Sequence, residues 1–406
     1  MAAWPTKRMD ELCEITSSKR IFAADYVPEG VPFYRGREIT EKYKGNLDVS
    51  TELFITEEKF QEIERKFGAP RPGDLLLTSV GTLGSVYVVK HGDRFYFKDG
   101  NLTWFRHFKE LDSQFLYYWI GSPQGKAELQ KCTIGSSQSA FTIVLLKSME
   151  IELPPLSIQR RIAGILSAYD ELIENSLRRI KILESIARAL YREWFIHYRF
   201  PGNESVPFVQ SPLGEIPQGW EVKRLKDTCR LTMGQSPKSE FYNEVGDGIA
   251  FHQGVTDFGD RFPSDRLFCT AAGRIAEAGD ILFSVRAPVG RMNIANKKII
   301  LGRGLSAIRH NDNHQAFLWE QLRNRFTKDD MMGNGAIFAS VTKDEMQGIE
   351  LMCPARSLVE LATQNFEPLH SEIVTLSQQV QNLRRTRDLL LPRLLSGQIN
   401  VEAIAS

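Results

Sequence analysis

Four stretches of this 406-residue chain approach a catalytic template, and each fails on residue type or spacing. Gly302-x-Gly304-x-x-Ala307 follows the expected strand Lys298 to Leu301, as a dinucleotide-binding loop would. Such a loop must open a helix, whereas Ala307-Ile308-Arg309-His310 continues a strand pattern. Gly121 to Gly125-Lys126 is one residue short of a phosphate cradle and runs into Ala127 where Ser or Thr is needed. Asp48 with Glu64-x-Lys66 has the spacing of a nuclease triad, yet Phe60, Ile63 and Phe67 place Glu64 on the polar side of an amphipathic helix. Leu153-Pro154-Pro155-Leu156 is the nearest approach to the Asp/Asn-Pro-Pro-Tyr/Phe sequence of adenine methyltransferases, and it lacks the polar and aromatic groups that grip a flipped base. It reads instead as a stiff extended lead into a helix. Five cysteines (Cys13, Cys132, Cys229, Cys269, Cys353) are scattered singly, with no histidine at ligand spacing, so no zinc site is expected. No catalytic group, metal site or cofactor is expected: the residues point to binding rather than chemistry.

The composition bounds what the chain can be. Its length exceeds one comfortable core, so two or more domains are expected. Isolated cysteines suit reduced thiols in a cytoplasm, Met1 to Asp10 is too polar for a signal peptide, and no apolar run approaches the ~20 residues of a membrane helix. The net charge of +1, from 51 basic and 50 acidic residues, weighs mildly against nucleic-acid binding, although a balanced total can hide one basic face.

The elements that would position any functional residue come in two copies. Trp4, Lys7, Arg8, Met9 and Cys13 line up with Trp220, Lys223, Arg224, Leu225 and Cys229. Gly73-Asp74-Leu75-Leu76-Leu77-Thr78 lines up with Gly279-Asp280-Ile281-Leu282-Phe283-Ser284, Leu102 to His107 with Leu305 to His310, and Ile151-Glu152-Leu153 with Ile349-Glu350-Leu351. The order holds while the shift drifts, as expected of two diverged copies with loops of different length. Turn signals followed by short apolar or β-branched runs predict a β-rich α+β fold in each copy, with helices at Glu57 to Phe67 and Ser113 to Ile120. Each copy ends in a long helix with a heptad seam. The first runs through Ile162, Leu166, Tyr169, Ile173, Ser176, Ile180, Leu183, Ala187, Leu190 and Trp194. The second runs through Ala362, Phe366, Leu369, Ile373, Leu376, Val380, Leu383, Arg387 and Leu390. The two seams can pack on each other within one chain as an antiparallel coiled coil; pairing between chains is the alternative. Arg387 reads as a snorkelling residue near a helix end. The expected divisions are 1–155, a globular domain; 156–200, a long helix; 201–219, a Pro- and Gly-rich linker; 220–355, a second globular domain; and 356–399, a second long helix.

In this order the residues resemble a known family, the specificity (S) subunits of Type I restriction–modification enzymes, over essentially the full chain. The likeness rests on the duplicated plan and on Leu153-Pro154-Pro155-Leu156-x-x-Gln159-x-x-Ile162, Trp194-Phe195, Phe200-Pro201-Gly202 and Ile216-Pro217-x-Gly219-Trp220. Leu391-Pro392-Arg393-Leu394-Leu395-Ser396-Gly397-Gln398-Ile399 is its most specific element. One departure is Met352-Cys353-Pro354, with a single proline before the second helix. The resemblance implies two target recognition domains related by pseudo-twofold symmetry, which read the two halves of a split, asymmetric site on double-stranded DNA. It further implies two modification (methyltransferase) subunits and, when present, restriction subunits as partners. The paired helices would fix the gap and dock the methyltransferases.

Under that resemblance, base readers should sit on loops leaving the strands. The candidates in the first copy are Tyr34, Arg35 and Arg37; Thr78, Ser79 and Thr82; and Ser136, Ser137 and Gln138. In the second they are His252 and Gln253, Ser284 and Arg286, Arg303, and Asn334. Competing readings are a coiled-coil scaffold that binds no DNA, or an enzyme fused to a recognition module.

Overall fold

The computed structural model describes residues 4–46, 49–135, 139–203, 206–326 and 340–401. The chain divides into two compact units, Met1–Arg179 with Leu376–Ser406, and Ile180–Thr375.

In unit 1 the sequence Gly73-Asp74 turns the chain into Leu75–Thr78, whose four residues are all buried. This strand pairs antiparallel with Val86–Val88 on one side and Leu102–Arg106 on the other, and Glu14–Thr16 adds to the far edge of the latter. Asp74 fixes the turn, its carboxylate accepting from the Arg71 amide and the Trp104 indole, both at 2.9 Å. A second small sheet runs Tyr26–Val27, Phe54–Ile55, Val31–Tyr34, Tyr96–Phe97, its last pair parallel. Glu57–Phe67 is a helix capped by Thr56, with Phe60 and Ile63 buried. Glu64 is exposed and Lys66 pairs with Glu62, so the triad spacing assembles no site among the described residues, outside which Asp48 lies. Ser113–Gly121, capped by Asp112, buries Phe115, Leu116, Tyr118, Trp119 and Ile120. Gly125 is glycine because the next helix packs so closely that a Cβ would lie 2.0 Å from the Trp119 carbonyl oxygen.

Unit 2 repeats the plan strand for strand. Cys229–Met233, Leu305–His310, Ile281–Ser284 and Met292–Ile294 form the first sheet in the same order. Tyr242–Asn243, Phe268–Cys269, Ile249–His252 and Ile299–Leu301 form the second, extended by Ile275–Ala276. The stretch expected as a linker is structured: Phe208–Ser211 and Gly214–Pro217 form a hairpin, and Ile216 and Trp220 are buried against Phe195.

The long helices are Leu156–Phe195 and Arg356–Leu395, each 40 residues and so roughly 60 Å. Ile162, Leu166, Ile173, Leu376 and Val380 are buried in unit 1, and Ala187, Ala362, Phe366 and Ile373 in unit 2. Tyr169, Ile180, Leu183, Leu369, Leu383 and Leu390 are half-buried. The seam departs from the heptad after Ala187, where Tyr191 and Phe195, two steps of four, carry the burial while Leu190 and Trp194 sit half-buried beside them. A straight helix drifts from a 3.5-residue repeat, and the rings of Phe317 and Trp220 pack against the face it drifts towards. Arg387 does not snorkel: it bonds Asp170 of the first helix, which also accepts from the Tyr118 hydroxyl at 2.6 Å. The end of the second helix and the segment after it close unit 1, with Leu394, Leu395 and Val401 in the core beside Met9 and Leu12 and Gly397 against Trp4.

Candidate nucleic-acid interface

The loop that joins the central strand Leu75–Thr78 to the edge strand Val86–Val88, and its counterpart between Ile281–Ser284 and Met292–Ile294, is closed by the same four bonds in each unit. In unit 1 the Thr78 hydroxyl donates to the Thr82 carbonyl at 2.5 Å and accepts from the Ser85 amide at 2.9 Å. Backbone bonds from Gly84 to Thr78 and from Thr78 to Ser85 complete it. In unit 2 the Ser284 hydroxyl donates to Pro288 at 2.7 Å and accepts from the Arg291 amide at 2.8 Å, with the matching pair of backbone bonds. Thr78 and Ser284 are therefore fully buried loop clamps with no free face for a groove. Ser79 is buried too, bonded to Thr103 at 2.7 Å. Thr82 and Arg286, by contrast, are exposed.

A second loop sits beside each clamp. Strand Val31–Tyr34 ends at Tyr34-Arg35, and Ile249–His252 at His252-Gln253; each strand is parallel to its neighbour, whose chain returns a backbone bond, Lys98 to Tyr34 at 2.9 Å and Gly302 to His252 at 2.8 Å. A Cβ on Gly36 would lie 3.8 Å from the Thr78 methyl, so the Arg35–Arg37 turn adjoins the clamped loop. Gln253 accepts from the Gly304 amide at 3.0 Å, and Gly304 in turn accepts from Val285 at 2.9 Å. Gly302 and Gly304 are required here: a Cβ would meet Gln253 Cα at 2.6 Å in the first case and the Gln253 carbonyl oxygen at 2.6 Å in the second. The Gly-x-Gly pattern that mimicked a dinucleotide loop is a backbone crossing.

These crossings bring the separate sequence candidates together. The loop of Arg35 and Arg37 adjoins that of Thr82 in unit 1, and in unit 2 backbone bonds link the loops that carry Gln253, Arg303 and Arg286. Ser236 ties the second group, donating to the Gln253 side chain at 3.0 Å and accepting from the Arg303 amide at 3.1 Å. Arg35 and Arg37 are aimed by Glu38, a fully buried carboxylate that bonds both guanidinium groups, at 3.3 and 3.1 Å, and caps the Arg35 amide at 2.8 Å. Glu38 and Ser236 escaped the sequence reading; a carboxylate three residues after a turn residue is the capping-box spacing that could have signalled the first. Tyr34 is half-buried and stacked on Phe95. His252 is corrected from candidate reader to internal group: it is fully buried, its ring nitrogens 3.5 Å from Asp265 and 3.9 Å from Asp257, and burial holds its pKa below the usual value.

Ser136, Ser137, Gln138 and Asn334 lie outside the described residues. The residues that follow them adjoin the clamped loops: Ala140 bridges Val80 and Ser340 bridges Arg286, with the Phe141 amide on Ser79 and the Val341 amide on Val285. Among the described residues no group of His, Cys, Asp and Glu is arranged to hold a metal ion, and no helix is long and apolar enough to cross a membrane.

A family model described as the Type I restriction modification DNA specificity domain matches residues 1–185 and 217–358, one match on each copy of the repeat. The putative type I restriction enzyme MjaX specificity subunit of Methanocaldococcus jannaschii is 28% identical, covering 98% of this chain and 94% of that one. The MjaIX specificity subunit of the same organism is 25% identical over 99% of this chain and 94% of its own. The crystal structure of the Type I restriction–modification S subunit from M. genitalium shares the fold, with a TM-score of 0.61 at 18% identity and 96% of both chains covered. With both copies matched and most of its length included, the chain belongs to the Type I restriction–modification DNA specificity family.

Proposed function

We propose that this chain recognises a split, asymmetric target on double-stranded DNA, one half-site per unit, and directs two methyltransferase subunits to it, with restriction subunits where the system has them. The observation that carries this reading is one clamped-loop framework built twice with different side chains beside it, exposed Arg37 and Thr82 with half-buried Arg35 in one unit against exposed Gln253, Arg286 and Arg303 in the other. A framework that holds while its exposed residues change is what two readers of different sequences require. Helices of roughly 60 Å exceed one ~34 Å turn of DNA, which suits half-sites centred more than a turn apart. The chemical step belongs to the partners, and five free thiols suit a cytoplasmic assembly. Footprinting of the chain with its methyltransferase subunits, after the methylated adenines have been mapped with and without this chain, tests it. Two protected segments of unlike sequence are expected; absence of any protected duplex, or methylation independent of the chain, overturns it.

A further inference from the structure

One group of charged and buried side chains in unit 2 lies where the recognition fold meets the long helices. Arg261, 4% exposed, places one terminal nitrogen 2.8 Å from His370 Nδ1 and the other 3.6 Å from the Glu184 carboxylate. His370 Nε2 lies 2.9 Å from Glu320 Oε1, and Arg323 bonds Glu184 at 3.1 Å. Glu184 and His370 belong to the two long helices, Glu320 and Arg323 to the helix Gln315–Phe326, and Arg261 to the recognition fold, stacked over Trp319 at 5.0 Å. Arginine only donates, so Nδ1 accepts from Arg261 and Nε2–H donates to Glu320, which makes His370 neutral. The Arg261 carbonyl accepts from the Ile294 amide at 2.8 Å, and Met292–Ile294 is the strand that the clamped loop of Ser284 and Arg286 feeds. A short chain of bonds thus runs from the long helices to the candidate reading loop. Unit 1 solves the same junction differently: 200 residues before His370 stands Asp170, bonded to Tyr118 and to an arginine from the opposite helix rather than from the recognition fold.

Resting on the reading above, we infer that Arg261 and His370 are positioning residues for the second half-site, locking the unit 2 recognition fold on the helix pair and so enforcing the gap between half-sites. Protonating His370 turns Nδ1 from acceptor to donor against Arg261, with Arg323 adding a second positive charge and Glu320, Glu184 and the nearby Tyr191 hydroxyl the other polar groups facing the junction. Burial already disfavours the charged imidazole. Acid therefore releases the lock.

The test uses the full chain with its methyltransferase subunits and duplexes carrying the mapped half-sites at the native gap or one base pair longer or shorter. Arg261→Met should reduce discrimination between gaps by about tenfold, the worth of one charge-assisted hydrogen bond, while base preference within each half-site stays. Wild type taken from roughly pH 7.5 to roughly pH 5.5 should lose discrimination in the same way. His370→Gln, whose amide can accept from Arg261 and donate to Glu320 at either pH, should lose much less. Equal losses in wild type and His370→Gln, or unchanged gap discrimination in Arg261→Met, overturn the inference. Amide exchange at Ile294, read without DNA, should quicken in Arg261→Met; quickened exchange with no duplex bound by wild type would leave the lock standing and sink the DNA reading instead.

Discussion

Thr78 and Ser284 offer the sharpest test of the duplicated loop, because one small change in each copy removes the same pair of bonds. Thr78→Val keeps the side-chain shape, and Ser284→Ala deletes a single oxygen. Each loses the bond donated to Thr82 or Pro288 and leaves the Ser85 or Arg291 amide without its side-chain acceptor. A net hydrogen bond is worth about 1 kcal/mol and an orphaned buried donor costs about 1–3 kcal/mol, so about 2 kcal/mol is expected at each clamp. The backbone bonds from Gly84 to Thr78 and from Gly290 to Ser284 remain, so the loop loosens without unfolding its sheet. Two kcal/mol raises the open population roughly thirtyfold. Native-state hydrogen exchange should show that rise at Ser85 in one variant and at Arg291 in the other, with Phe105 and Ile308 in the central strands unchanged. With DNA, Thr78→Val should relax base preference at one half-site and Ser284→Ala at the other. Unchanged exchange at those two amides would refute the clamp, and equal relaxation at both half-sites from either variant would refute the assignment of one reader to each.

Three further outcomes can be measured. Arg286→Ala, at an exposed position of the unit 2 loop, should weaken binding at one half-site only; the same loss on scrambled duplex would reassign Arg286 to phosphate contact. Phe366→Ala empties a fully buried position shared by the two helices in unit 2 and should cost about 3–5 kcal/mol by chemical denaturation, so a cost below about 1 kcal/mol would show that the helices do not rely on it. His252, His310 and His370 all have pKa values lowered by burial, so the unfolded chain takes up protons first as pH falls. Their contribution is fully present above the ordinary value of about 6.5 and is lost progressively below it. All three lie in unit 2, where amide protection should fall more than in unit 1 between roughly pH 7.5 and roughly pH 5.5; equal loss in both units would count against this.

The repeat and the long helices were legible because burial leaves a periodic trace. Ile162, Leu166, Ile173, Phe366, Ile373 and Leu376 are apolar at seam spacing and buried where that spacing puts them. The strands after Gly73 and Gly279 were equally plain, each a turn signal followed by four buried residues. Local rules failed where a distant partner decides. By propensity Pro368 should end a helix, yet Arg356–Leu395 runs through it, held by burial of Phe366 and Ile373 on either side. Polar residues were the harder case: Thr78, Ser284 and His252 look like groove readers in sequence, and only the fold shows that their partners lie inside the protein. The hairpin Phe208–Ser211 with Gly214–Pro217 hid in a Pro- and Gly-rich stretch because the aromatic surface that Ile216 and Trp220 cover comes from Phe195 and Phe366, distant in sequence.

The bonds that both copies retain are mostly bonds that substitution cannot remove. Lys98 to Tyr34 and Gly302 to His252 are backbone to backbone, as are Ser79 to Asn101 and Val285 to Gly304. A frame held by amides and carbonyls tolerates an arginine at 35 where its counterpart has a glutamine at 253, and a valine at 80 where the other copy has an arginine at 286. Where a side chain carries the frame, its chemistry is kept within narrow limits, a threonine hydroxyl for a serine hydroxyl at 78 and 284. The helix junctions obey neither rule: Asp170 and His370 occupy matching positions beside the seams, one residue after Tyr169 and Leu369, and find unlike partners. Each recognition fold is consequently keyed to its own stretch of helix by chemistry, while the side chains on its candidate reading loops are left to diverge. That division allows one chain to hold two different readers without either fold competing for the other's place.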